Sequence, residues 1–286
     1  MKPKVKDIFK RGETAVFKLG SSLIAGEDGV RTDWIDSLAE ECKELISRGV
    51  KPVIVSSGAI ALGRGILGLG NKTLTLAQKQ AASAVGQVSL SSLFQTIFNI
   101  KKIKTAQVLL TRFTADPQNK EAYQNAVNTM SVLLDMGVVP VINENDVVAT
   151  EEIKFGDNDR LGAVVARMTG ADILFLFSDI DGLYDKDPKT NKDAKFIPLI
   201  TEITPEIEAM AESSKNPLAA GGMVTKIIAG KMCLEAGCKM VIMHGKAQYP
   251  LARLADGERC TWFIPSSPRP KRERAGLPRR SEAKAG

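Results

Sequence analysis

Histidine occurs once in these 286 residues, at His244, and that scarcity excludes several mechanisms at the outset. A Ser-His-Asp or Cys-His system, or a zinc site with a histidine ligand, would have to use this one residue. It ends the strand-like "KMVIMHG", where a structural role is the plainer reading. Cysteine is sparse as well. Cys42, Cys233, Cys238 and Cys260 match no zinc spacing, and a chain of this length does not need disulfides to fold. They read as small buried residues in a reducing, cytoplasmic setting. No stretch reaches the roughly 18 apolar residues of a membrane span, so no membrane partner is expected. The opening "MKPKVKDIFKRGET" is charged and has no apolar segment of the secretory kind.

Charge is present but unevenly placed. The net charge is +6, and the last 19 residues hold seven Arg or Lys against two Glu, so the other 267 residues carry only +1. The Pro, Gly and charge content of 268–286 predicts a solvated, disordered tail. It has no aromatic residue on which a base could stack, so nucleic acid is not an expected partner.

The rest alternates between strand-like and helix-like segments. Strands are predicted at 14–20, 50–58, 105–110, 138–142, 171–179, 239–245 and 261–265. Helices are predicted at 33–49, about 75–99, 119–137, 158–170 and 222–237, with Gly49 placed to end the first. Residues 147–155 alternate enough to predict a hairpin. This order argues for an α/β sheet with helices on both faces. Such sheets bind ligands at the carboxyl ends of their strands. Four strand ends here are polar: "KLGSS", "VSSGAI", "INEND" and "FSDIDG".

Gly63, Gly65 and Gly68 spell G-x-G-x-x-G but do not read as a dinucleotide fingerprint. They come some eight residues after Val55, and no Asp or Glu occurs between Glu44 and Asp116 to hold a ribose. The G-x-x-x-x-G-K-[ST] phosphate loop is absent. Phosphate binding needs only backbone N–H groups, a helix start and a lysine. "FKLGSS" offers Lys18 and Gly20; "SSGAIALG" offers Ser57, Gly58 and Ala59; "AGGMVTK" offers Gly221, Gly222 and Lys226. Taken singly, each is an ordinary turn. Together they suit a polyphosphate and a transferring phosphoryl group.

"KLGSS", "VSSGAIALG", "PVINENDVVATEEIKFGDND", "FSDIDGLYDKDP" and "AGGMVTK", in this order, resemble the amino acid kinase family, specifically its glutamate-phosphorylating members. The resemblance covers roughly 14–265 and implies a three-layer αβα sandwich around a largely parallel sheet. It implies a kinase domain over 1–267, with an amino-acid lobe to about 165 and a nucleotide lobe over about 166–267. It also implies transfer of a phosphoryl group from Mg²⁺-bound ATP to the γ-carboxylate of L-glutamate, the first step of proline biosynthesis. By matching positions, Ser57, Gly58, Ala59, Asn143, Asp146, Asp157 and Asn158 would surround glutamate. Lys18, Gly20, Ser178, Asp179, Ala220, Gly221, Gly222, Met223, Val224, Thr225 and Lys226 would surround ATP. Lys18, Lys226 and Asp159 would be catalytic, with Asp159 orienting the two lysines.

An ammonium needs acceptors and a carboxylate needs donors, which is what Asp146 and Asn158 can supply. Proline as a feedback inhibitor and a dimer or tetramer are further expectations from the resemblance. Ala220 and Ser178 stand where the family often has threonine. Many relatives continue into a PUA domain after the last strand, whereas this chain runs into its basic tail. Relatives acting on aspartate, N-acetylglutamate or UMP, and a non-catalytic glutamate or proline sensor, are the alternatives. "INEND…GDND" argues against the first group, and intact Lys18, Lys226 and Asp159 against the sensor.

Overall fold

The structure is a computed structural model, and it describes residues 8–26, 29–149, 158–188, 190–213 and 222–267. The basic tail lies outside the described residues, as do Asp157, Ala220 and Gly221. Eight strands form one sheet: β1 (Thr14–Leu19), β2 (Lys51–Ser56), β3 (Lys104–Leu110), β4 (Val138–Glu144), β5 (Ile173–Ser178), β6 (Leu199–Ile200), β7 (Lys239–His244) and β8 (Cys260–Phe263). Their order is β6-β8-β7-β5-β1-β2-β4-β3. Every neighbouring pair is parallel except β7 with β8. The sheet is therefore largely parallel, as expected from the alternation of elements.

Helices cover both faces. These are α1 (Thr32–Ser47), α2 (Ala59–Ile66), α3 (Leu76–Ile100), α4 (Lys120–Asp135), α5 (Asn158–Thr169), α6 (Pro205–Ser213), α7 (Met223–Glu235) and α8 (Pro250–Ala255). Strand alternation divides the core in two. Phe17, Ile54, Phe175 and Val241 face α1 and α3, where Trp34, Leu38, Leu90 and Phe94 meet them. Val16, Val55, Leu176 and Ile242 face α4, α5 and α7, where Met130, Val165 and Ile227 meet them. The first helix ends as its sequence predicts: Gly49 has φ +79°, and Val50 N–H returns to Leu45 O at 3.0 Å.

One reading changes. The hairpin expected from residue 147 does not begin there. Val148 and Ala149 N–H donate back to Asn145 and Asp146 carbonyls at 3.3 and 3.4 Å, so the chain turns. The two valines that imitated a strand, Val147 and Val148, are exposed. Residues 150–157 lie outside the described residues.

Gly63 and Gly65 sit inside α2, and Gly63 serves packing. A Cβ on Gly63 would lie 1.8 Å from Ala82 O, and one on Gly86 would lie 1.8 Å from Ala59 O. The backbones of α2 and α3 thus touch, and only two glycines allow it. Around Gly65 the space is open.

The two glycines of α2 should therefore respond oppositely to alanine. Gly63→Ala should lose about 1–3 kcal/mol or more through overpacking. Gly65→Ala should gain about 0.5–1 kcal/mol from helix propensity and a less flexible unfolded chain. Urea midpoints of the two variants check this; equal midpoints would refute the assigned contact.

Candidate active site

The site is built around a charge on an apolar face. Lys18 lies in register with Val55 on β2 and Leu176 on β5, and those rows continue to Ile142 and Ile242. Lys18 is the one charged member of this row. Its side chain therefore points among the buried residues that face α5 and α7. An unpaired ammonium there would be costly. Helix α5 supplies the partner and can approach because it carries Gly162, where a Cβ would lie 3.4 Å from Lys18 Cβ. One turn earlier on the same face stands Asp159.

Asp159 is fully buried, and Lys18 and Lys226 are 8% and 6% exposed. Lys18 Nζ stands 2.6 Å from Asp159 Oδ1, and Lys226 Nζ donates to Oδ2 at 2.9 Å. Thr225 Oγ1 lies 3.2 Å from the same Oδ2 and 2.7 Å from Gly222 O, either of which can take its proton. Burial pushes the Asp159 pKa upward, but the two ammonium groups outweigh it and hold the carboxyl below its ordinary value. Two cations on one anion leave an excess of positive charge facing the carboxyl ends of β1 and β5.

A polar network lies beside it. Asn158, the first residue of α5, donates from Nδ2 to Ser57 Oγ at 2.6 Å, Ser56 O at 3.2 Å and Asn143 Oδ1 at 3.4 Å. Asn143 Nδ2 donates to Gln87 Oε1 at 2.8 Å, and Ser83 Oγ donates to Asp146 Oδ2 at 2.8 Å. Gly58 turns the chain out of β2 with φ +106°; a Cβ there would crowd Ile24 at 3.2 Å. The sharp turn brings the start of α2 directly over the strand end.

Both groups open into one cleft of about 740 Å³. It lies where the chain reverses its direction of travel across the sheet, with β2 on one side of β1 and β5 on the other. That is the usual ligand position in a doubly wound sheet. Of the residues singled out in the sequence, Lys18, Gly20, Ser57, Gly58, Ala59, Asn143, Asp146, Asn158, Ser178, Asp179 and Lys226 line it. Asp159 sits behind the lysines. Gly222 precedes α7, Met223, Val224 and Thr225 form its first turn, and none of the four lines the cleft. His244 pairs with Ser178 across β7 and β5 and is not a lining residue either.

The cleft also contains residues that the sequence reading missed. Arg64 comes from α2, and Lys246 follows β7. Phe177 forms part of the wall and is braced edge-on by buried Trp34 at 5.9 Å. Ser83 and Gln87 stand on α3, behind the network. Their only signal in the sequence was polar spacing on a helix, which solvated faces share.

A sequence model described as the Amino acid kinase family matches residues 13–244. A glutamate 5-kinase of Paramagnetospirillum magneticum is 50% identical over 254 residues, covering 88% of this chain and 68% of that protein. One from Rhodospirillum rubrum is 49% identical over 253 residues, covering 88% and 67%. The chain thus spans about two thirds of the length of these relatives. Among solved structures, a carbamate kinase from Giardia lamblia bound to AMP-PNP superposes with a TM-score of 0.62 at 18% identity, covering 89% of this chain and 99% of that one. A UMP kinase from Ureaplasma parvum gives 0.59 at 17%, with the same coverage. At that identity the structures speak for the fold alone. With a match over 13–244 and relatives identical at about half their aligned positions, this chain belongs to the amino acid kinase family, in its glutamate 5-kinase branch.

Proposed function

We propose that this chain transfers the γ-phosphoryl group of ATP to the γ-carboxylate of L-glutamate, giving L-glutamyl 5-phosphate and ADP at the start of proline biosynthesis. The observation that carries this reading is the buried Lys18–Asp159–Lys226 set opening onto the same cleft as the Ser57–Asn158–Asn143 network. One half of the cleft suits anionic phosphate; the other suits the mixed charges of an amino acid. We assign the amino acid to the half built by residues up to about 165 and the nucleotide to about 166–267. Ser57, Gly58, Ala59, Asn143, Asp146, Asp157 and Asn158 are the proposed glutamate contacts. Gly20, Ser178, Asp179 and 220–226 are the proposed nucleotide contacts, together with Lys18.

In the step itself, a γ-carboxylate oxygen attacks the γ-phosphorus in line. The bond from phosphorus to the β,γ-bridging oxygen breaks, and that oxygen leaves on ADP. The attacking group is already ionised at neutral pH, since a glutamate carboxyl has a pKa of about 4.3. No general base is required. Catalysis then reduces to holding the reactants in line and stabilising charge. Lys18 and Lys226 supply the charge, and Asp159 fixes where their ammonium groups stand. The N-termini of α2 and α7 add backbone donors for anions.

Mg²⁺ belongs to the same proposal as an ion carried on the ATP phosphates, whose oxygens it favours. The cleft presents Asp179 as an oxygen donor on that side. No helix among the described residues is long and apolar enough to cross a membrane, and we propose a cytoplasmic enzyme. Assembly into a dimer or tetramer and inhibition by proline are proposed from the family. Exposed Val88 on α3 and Val132 on α4 are available to an interface between copies. Sedimentation of the full chain, and turnover with added proline, test these two points; a monomer or an unaffected rate would remove the respective proposal.

The reaction is tested by trapping the acyl phosphate. With Mg-ATP and hydroxylamine, glutamate should yield hydroxamate, and aspartate and N-acetylglutamate should not. Signal from another acid would change the substrate. None from any acid, with ATP still bound, would leave a sensor rather than a kinase.

Substitutions at the charge set should separate chemistry from stability. Lys18→Met or Lys226→Met should lower kcat about 10²–10³-fold. Asp159→Asn should cost about 3–5 kcal/mol at pH 7, because two buried cations lose their partner. Its folded pKa lies below the ordinary 3.8, so folding favours the ionised form. The contribution is complete above 3.8 and is lost as pH falls through the lower folded value. Urea unfolding at neutral and strongly acidic pH should show the gap between wild type and variant closing in acid. A gap independent of pH would refute the role of the carboxylate charge.

A further inference from the structure

Three polar side chains on α3 hold the end of β4 and the turn that follows it. Gln80 Nε2 donates to Ala149 O at 3.0 Å, Ser83 Oγ donates to Asp146 Oδ2 at 2.8 Å, and Gln87 Oε1 accepts from Asn143 Nδ2 at 2.8 Å. Their spacing of three and then four residues places them on one helix face. Beside them, Gly86 makes the backbone contact with Ala59 of α2. One helix therefore references two walls of the cleft: the start of α2 and the segment 143–149.

Each bond has a consequence for the cleft. Ser83 occupies one oxygen of Asp146 and so fixes the plane of that carboxylate, leaving Oδ1 without a partner among the described residues. Gln87 accepts from the amide nitrogen of Asn143, which turns Asn143 Oδ1 toward Asn158 Nδ2. An Asn143 amide free to flip would set two NH₂ groups against each other and loosen Asn158 from Ser57. Asn158 thus donates both to Ser57 and to Asn143, and Asn143 donates on to Gln87. Asn158 stands one residue before Asp159, the anchor of Lys18 and Lys226.

We infer that the row on α3 positions the amino-acid substrate and sets the length of acid the site accepts. Ser83 orients the carboxylate that receives the substrate ammonium. Gln87 fixes the amide pair between that carboxylate and the lysines. The span between ammonium acceptor and phosphoryl cations is then held by α3, and a shorter acid anchored at Asp146 falls short of the phosphoryl group. Ser83 and Gln87 are positioning residues, acting through Asp146 and Asn143. The inference rests on the proposed glutamate reading, because it needs an α-ammonium at Asp146.

The wild-type chain is assayed first with glutamate, Mg-ATP and hydroxylamine. Absence of hydroxamate there would sink the glutamate reading itself, before any variant is compared. Given turnover, Ser83→Ala should raise the KM for glutamate about tenfold or more, the effect of a lost hydrogen bond to a carboxylate, and Gln87→Leu about three- to tenfold, the effect of a lost bond between neutral amides. The KM for ATP should stay near wild type, the urea midpoint of Gln87→Leu should fall because the buried Asn143 amide loses its acceptor, and the preference for glutamate over aspartate in kcat/KM should fall. Gln87→Glu keeps an acceptor for Asn143 and should retain most of the glutamate affinity. An unchanged glutamate KM would overturn the proposal. So would an equal rise for both substrates, which marks a brace with no part in selection. Gln87→Glu failing as badly as Gln87→Leu would overturn the role given to the Asn143 amide.

Discussion

The arrangement of this molecule depends on one buried interaction, the pairing of Lys18 and Lys226 with Asp159. Placing an ammonium in an otherwise apolar row of a parallel sheet costs several kcal/mol unless an anion meets it. Asp159 meets it from the first turn of α5, and Gly162 lets that helix come close enough. The second lysine arrives on the first turn of α7. Three elements far apart in the chain are thereby tied at one point. The excess positive charge that remains is directed at the cleft, where an anion can balance it.

The second constraint is a contact with no charge at all. Gly63 and Gly86 let α2 and α3 approach until backbone touches backbone. This contact sets where α2 begins, and with it the backbone donors that follow Gly58. The same α3 carries the polar row that holds Asn143 and Asp146. The charged half of the cleft is thus fixed through the sheet and α5, and the polar half through a helix crossing. The two meet at Asn158 and Asp159, which are consecutive residues.

The solved structures that share this fold at 17–18% identity include a UMP kinase and a carbamate kinase. A sheet that presents several strand ends and helix N-termini at one edge is a general anion platform. In this chain the amide and carboxylate groups laid over that edge come from α3, the end of β4 with the turn after it, and the start of α5.

Local pattern was enough for much of this. The 3.6-residue stripe of α1, its glycine stop and the buried runs of β1, β2, β5 and β7 are written in neighbouring residues, because backbone geometry sets their period. The polar strand ends could be read as a site because a sheet of this class binds ligands there. The motifs around Lys18, Asp159 and Lys226 could be read as one unit only through their resemblance to a family. Tertiary structure decided the rest. That Gly63 is a helix-crossing residue depends on Ala82 and Gly86, on another helix. That Gln80, Ser83 and Gln87 meet Ala149, Asp146 and Asn143 depends on which side of α3 meets the end of β4 and the turn after it. The valines at 147 and 148 are β-branched, as strand residues often are, yet hydrogen bonds to Asn145 and Asp146 turn the chain there. Periodicity reports which face of an element is apolar; which other element that face meets is settled by strand order and helix crossing, and those are long-range contacts that no short window contains.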